Sequence, residues 1–375
     1  MINSLYIHIP FCMKKCIYCD FFSVPYDDTL ALKYITAVVH ELEIRKGLAS
    51  GLKTVYVGGG TPTTIPAPSL IGLLRKIRDT FSVSPDAEIT VEVNPGTIDK
   101  EKARALSDAG VNRFSVGVQS FNNNDLKLLG RIHTLEDALK AVAAIRHAGI
   151  RNISIDLIYG IPGQTTDDWS HAVAMAKELS PEHVSAYELT PEKGTPLYEL
   201  IARGKLKKPD EENIVEMYYH AIDSLARGGY RHYEISNFAK QGFECRHNLT
   251  YWNRGEYIGI GAAAHSFIGD RRVKNVSDVG RYVETLQKGD LAVEESVEVS
   301  CEEAIRETIF LGLRKTEGLN IRELREDLGI DIVGAASELI DQALFEVEGG
   351  RLRLTRKGIV VSNTVITELF QKLTL

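Results

Sequence analysis

The chain has 375 residues, 44% hydrophobic and 25% charged, with a formal net charge of −7, the balance of an ordinary globular protein rather than a disordered or fibrous one. Its length exceeds what a single hydrophobic core sustains, so one large domain and a smaller second one are expected. The acidic balance argues against nucleic acid as a principal partner. With no apolar run of about 18 residues and no basic-then-apolar opening in MINSLYIHIPF, the expectation is a cytoplasmic protein without an integral membrane segment.

In chain order, short β-branched or aromatic runs recur as LYIHI (5–9), TVYVG (54–58), EITVEV (88–93), RFSVGV (113–118), NISIDLIY (152–159) and HVSAYEL (183–189). Helix-length segments separate them, with apolar residues three or four apart, as at Leu30, Tyr34, Val38 and Leu42. This alternation predicts an α/β fold, a parallel sheet covered by helices, either open or closed into a barrel. Polar residues and glycines fall at or just beyond the C-terminal ends of the six strands: Cys12, residues 58–61, Glu92 with Asn94, Gln119, Asp156 and Glu188. A barrel brings such ends to one mouth, so a partial (β/α)6 barrel of the TIM type is expected.

Beyond residue 190 the alternation weakens. A helix over 214–226 and strands over 233–238 and 257–267 are predicted, then helices over 304–313, 321–328 and 333–344. FEVEGGRLRLT reads as a hairpin turning at Gly349-Gly350, followed by a last helix to about residue 373. Helices followed by a hairpin predict a small winged-helix-like domain, giving residues 1–295 as the barrel with an extension and 296–375 as the C-terminal domain. Ten basic and eleven acidic side chains in 306–375 point to packing there rather than to DNA binding.

Three of the five cysteines, Cys12, Cys16 and Cys19, form C-x3-C-x2-C directly after the first predicted strand. Thiols so grouped suit a metal in a reducing compartment better than a disulfide framework. A cubane cluster normally takes four cysteines. Three leave one iron open to a small molecule, as a catalytic zinc site keeps an open position. A structural zinc site is the plainer alternative, but no histidine or second cysteine pair completes its spacing. Gly58-Gly59-Gly60-Thr61-Pro62 follows the second strand, where glycines permit positive φ and close backbone approach. Glu92 ends the third strand among apolar neighbours.

The loop HIPFCMKKCIYCDF is similar to the signature of the radical S-adenosylmethionine (SAM) family. That resemblance implies a [4Fe-4S] cluster on Cys12, Cys16 and Cys19, with SAM on the free iron and a 5′-deoxyadenosyl radical formed on reduction. YIHIPFC, GGGTPT, EVNPG, SVGVQSF, GRIHT and IDLIYGIPGQT together resemble one branch, oxygen-independent coproporphyrinogen III oxidase and its relatives, over about residues 6–267. By resemblance, Tyr6, Tyr18, Gly59, Gly60, Thr61, Glu92, Gln119, Arg131 and Asp156 line the SAM sites. The alternative for Gln119, Arg131 and Asp156 is that they brace the barrel mouth, and for Arg131 a surface role.

Phe21 stands where the oxidase carries a further cysteine, which leaves enzymatic activity open. CRHNLTYW (245–252) resembles the heme-chaperone subgroup of the branch. It implies heme as ligand with His247 in contact, delivery to heme-accepting proteins, and a homodimer on cluster loading. The alternative is an enzyme acting on a porphyrinogen. An imidazole is a usual axial ligand of heme iron, but His247 with Tyr251 and Trp252 also reads as packed core. Cys245 is a minor heme candidate, without the C-x-x-C-H of covalent attachment.

Overall fold

The computed structural model describes residues 2–373. Six strands follow one another in sequence order, β1 (Ile2–Ile9), β2 (Ala49–Gly59), β3 (Val83–Val93), β4 (Arg113–Gln119), β5 (Asn152–Tyr159) and β6 (His183–Glu188), each parallel to the next. Between them run helices Asp28–Ile44, Lys100–Asp108, Leu135–His147 and Thr166–Leu179, whose first turns are capped by the side chains of Asp27, Asp99, Thr134 and Thr165. Each cap accepts a backbone N–H that the helix itself cannot satisfy.

Two expected strands divide. The run 233–238 is a tight hairpin, β7 (Arg231–Glu234) and β8 (Asn237–Ala239), whose second strand pairs antiparallel with β6. The run 257–267 splits into β9 (Ile258–Ile260) and β10 (His265–Ile268), because Gly261 at φ 107° and Ala263 at φ 60° turn the backbone out of the extended region. A Cβ on Gly261 would lie 2.5 Å from the Tyr34 hydroxyl. Strand β9 returns to pair parallel with β1, so the sheet runs β9-β1-β2-β3-β4-β5-β6-β8-β7 and stays open between its outer strands. Strand β10 joins β11 (Arg271–Asn275) and β12 (Val293–Glu298) in a separate antiparallel sheet.

Along every barrel strand the two faces differ in kind. Leu5 and Ile7, Val55 and Val57, Ile89 and Val91, Phe114 and Val116, Ile153 and Ile155, and Val184 and Ala186 are buried in the apolar core under the helices. The alternate residues, among them Tyr56, Glu92, Arg113, Ser115, Asp156, His183 and Ser185, line a cavity on the inner face. Parallel barrels ordinarily fill that interior with branched apolar side chains. A polar lining is costly to desolvate, so this interior is built to receive something.

The C-terminal unit opens with helix Cys301–Leu313, capped by Ser300 and Glu303. A three-stranded sheet of β13 (Leu319–Asn320), β14 (Phe345–Glu348) and β15 (Arg351–Leu354) carries the expected hairpin. Gly349 and Gly350 sit at φ 57° and 75°, the positive pair that a tight two-residue turn requires. The helix expected over 333–344 is instead two short ones, Ile332–Ala335 and Ser337–Asp341, and the last is broken into Arg356–Val360 and Ser362–Lys372. Glu307 ties this unit to the barrel side through Arg254 at 2.9 Å and Arg272 at 2.8 Å. No described helix is long and apolar enough to cross a membrane.

Candidate functional site

The cysteine loop is held from both ends. Phe11–Cys12 pairs with Val24–Pro25, the Tyr26 N–H donates to the Cys12 carbonyl at 2.9 Å, and the Ile17 N–H donates to Leu129 O at 3.1 Å. Ile17 and Tyr18 pack on a small apolar cluster of Leu129, Ile158, Ile161, Leu189 and Leu197. Gly130, at φ 78°, leaves room for this approach, since a Cβ there would lie 3.2 Å from Ile17 Cγ2. All three thiols are free and line one cavity of about 440 Å³ at the C-terminal ends of the strands.

The glycine run lets β2 end against the same loop. The Gly60 and Thr61 N–H groups donate to Ile9 O and Phe11 O at 2.9 and 2.8 Å, and a Cβ on Gly60 would stand 2.8 Å from Phe11 O. Gly59, at φ 115°, gives its N–H to Glu92 Oε2 at 3.0 Å, and Tyr56 donates its hydroxyl to Oε1 at 2.8 Å. Burial pushes the Glu92 carboxyl up to about 7, against the pull of those two donors.

Gln119 adopts φ 67° beside an irregularity in the β4–β5 pairing. That conformation is strained for a residue with a side chain, and such strain concentrates at functional sites. Arg131 bridges the wall to the loop: Nη2 donates to Gly117 O at 2.8 Å and Asn94 Oδ1 at 2.9 Å, and Nη1 lies 3.6 Å from Cys16 Sγ. Asp156 accepts from Ser115, Ser154 and Ser185 at 3.0, 3.3 and 2.7 Å, while burial raises its carboxyl above the usual range.

The cavity brings together Cys12, Cys16, Cys19, Tyr18, Gly59, Gly60, Thr61, Glu92, Gln119, Arg131 and Asp156. Tyr6 and His247 are not in its lining. Tyr6 lies behind it, its hydroxyl 3.0 Å from His8 Nδ1 and its ring stacked on Tyr56. His247, the implied heme contact, is packed outside the cavity. It is 1% exposed, with Nδ1 at 2.8 Å from the Thr54 hydroxyl and Nε2 at 2.8 Å from that of Tyr251, so neither ring nitrogen is free. Burial, with Arg113 nearby, lowers its pKa to about 3. Cys245 is likewise buried, its thiol pushed up to about 12 by burial.

Residues 6–176 match the model of the radical SAM superfamily and residues 299–361 that of the HemN C-terminal domain. A protein of Bacillus subtilis (strain 168) named heme chaperone HemW is 38% identical over 97% of this chain and 98% of its own. One of the same name from Lactococcus lactis subsp. lactis (strain IL1403) is 39% identical over 97% and 96%. The chain belongs to the HemW family of radical SAM proteins. Its fold matches the solved structure of coproporphyrinogen III oxidase (HemN) from Escherichia coli, with a TM-score of 0.85 at 24% identity over 98% of this chain and 89% of that one.

For a HemW-family chain the donor set fits an iron–sulfur cluster. Three soft thiols share one cavity, and a cubane takes each thiolate on a different iron. No three His, Cys, Asp or Glu side chains among the described residues converge on one point as a single metal ion needs. Sequence reasoning missed Tyr56, Arg113, Ser115, His183, Ser185, Tyr187 and Asn248, all in the cavity wall. The available signal was the period of two along strands with one apolar face, which leaves Arg113, Ser115 and Gly117 on the inner one.

Proposed function

We propose that this protein carries heme to heme-accepting proteins, with a [4Fe-4S] cluster on Cys12, Cys16 and Cys19 and S-adenosylmethionine beside it. The observation that carries the reading is the near full-length identity to relatives named heme chaperone. When bound and reduced, the cluster with its cofactor supplies one-electron chemistry. Tyr18 offers a flat ring to an adenine, Glu92 an acceptor to ribose hydroxyls, and Gln119, Arg131 and Asp156 the remaining polar contacts. Tyr6 supports that wall from behind. The pinned loop and strained Gln119 hold the wall in place before any ligand arrives, which reduces the ordering cost of binding. His247 is kept as the heme contact that its motif implies, and one of its bonds to Thr54 or Tyr251 would have to yield to the ligand.

A reducing compartment such as the cytoplasm suits the three free thiols, and cluster loading is proposed to bring two copies together. Residues 1–295 and 296–375 are taken as the two domains, supported by the match to a separate C-terminal model at 299–361.

Titration of the purified chain with hemin tests the reading. A saturable Soret band, followed by loss of heme to an apo-acceptor, is the expected result, and no saturable binding sinks it. Anaerobic incubation with dithionite, S-adenosylmethionine and coproporphyrinogen III tests the enzyme alternative, which predicts protoporphyrinogen.

A further inference from the structure

Arg113, 2% exposed, opens β4 at the end of the barrel away from the cysteine loop, and it lines the cavity there. Neither its Nε nor its Nη1 has a hydrogen-bond partner, and no carboxylate among the described residues comes within 4.0 Å of it. The carboxylates whose charge reaches it are bonded to other groups, Glu92 to Tyr56 and Gly59. Glu88 accepts the N–H groups of Arg246 and His247 at 3.2 and 3.1 Å. Asp156 is taken by its three serines.

A structural arginine in a core is paired, because a buried unpaired charge costs several kcal/mol. Arg113 shares its cavity with several polar side chains, Tyr187 and Asn248 among them. A planar guanidinium fork matches one group best, a carboxylate taken through two parallel hydrogen bonds.

We propose that Arg113 is the receptor for the carboxylate of an organic acid held at the floor of the barrel, beneath the residues of the cysteine end. This subsite lies in the same cavity as the cluster and cofactor contacts but uses a different residue, and it does not depend on heme carriage. The propionate arm of a tetrapyrrole and a free short-chain acid present the same group to it.

The test uses the full chain with its cluster reconstituted, in wild-type, Arg113→Gln and Arg113→Lys forms, with cluster absorbance reporting integrity. One arm follows the thermal midpoint against sodium propionate, with sodium chloride as control. The other compares coproporphyrin III with its tetramethyl ester by fluorescence quenching. The expected result is a saturable propionate shift, or at least about a tenfold preference for acid over ester, lost in Arg113→Gln. Arg113→Lys, which keeps the charge without the fork, retains part of the effect. A response in the porphyrin arm alone assigns the carboxylate to a tetrapyrrole, and a response to propionate assigns it to a free acid. Three results overturn the proposal: no response in either arm of the wild type, an equal response in folded Arg113→Gln, or a response abolished by saturating S-adenosylmethionine, which would give the site to that molecule. If Arg113→Gln does not fold, Arg113→Lys decides, and unchanged affinity there overturns the proposal as well.

Discussion

Glu92 shows how one side chain links the backbone of the glycine run to the chemistry of the cavity. It receives Gly59 N–H and Tyr56 Oη, and burial holds its pKa at about 7. A ribose donates hydroxyls, so it prefers the ionised carboxylate. Below pH 7 the free protein binds a proton that a ligand must displace. Affinity for S-adenosylmethionine should therefore rise about tenfold from pH 6 to pH 8. Glu92→Gln should bind more weakly and lose that slope, and calorimetry at three pH values checks both. Glu92 and the cysteines were legible in the sequence because each belongs to a short contiguous motif. Arg113 was not, because the period of two along its strand gives the face it occupies and nothing about its partners. What points to its role is the set of partners it lacks, on elements as distant in sequence as the Glu88-bound helix that carries Asn248.

At the scale of elements, the short helix Arg246–Trp252 carries His247, Asn248 and Tyr251 and is bonded to β2 through Thr54 and to β3 through Glu88. Its N-cap, Cys245, makes no side-chain cap bond; Glu88, on β3, accepts the first two N–H groups instead. Glu88→Ala leaves those buried donors unpaired and should cost about 2–3 kcal/mol. A lower urea midpoint and faster hydrogen exchange confined to 246–252 would show it. An unchanged midpoint would mean that the helix is held by packing alone. The six barrel strands and the Gly349-Gly350 hairpin could be read from periodicity and turn chemistry. The strand at 233–238 and the helix at 333–344 could not, because both are broken by backbone turns that apolar spacing does not record. His247 reads as a ligand by motif and as a packed residue by contact, since a local pattern carries no information about Thr54, 193 positions away.

For the whole molecule, Glu307 is one of the ties between barrel and C-terminal unit, beside the Arg356–Asp223 pair. Burial raises its pKa, but the hydrogen bonds from Arg272 and Arg254 outweigh this and hold it below the ordinary carboxylate value. A depressed pKa contributes stability above the unfolded value near 4.5, lost as pH falls through the folded one. The group is partly exposed, so about 1 kcal/mol is a fair scale. Limited proteolysis around residues 296–300 should be slow at pH 7 and faster near pH 4. Glu307→Gln should be cut quickly at both, and equal rates for the two proteins at pH 7 would contradict the assignment.

Strand β9 pairs with β1 although more than 240 residues separate them. During synthesis, β2 can dock on one side of β1 early, while its other side waits until residue 260 has left the ribosome. The cysteine loop, which hangs from the end of β1, is thus made early on an unfinished edge. For most of translation the chain carries its three thiols while one edge of β1 is still uncovered. The ligands of the metal centre are all made well before the strand that covers the second side of β1.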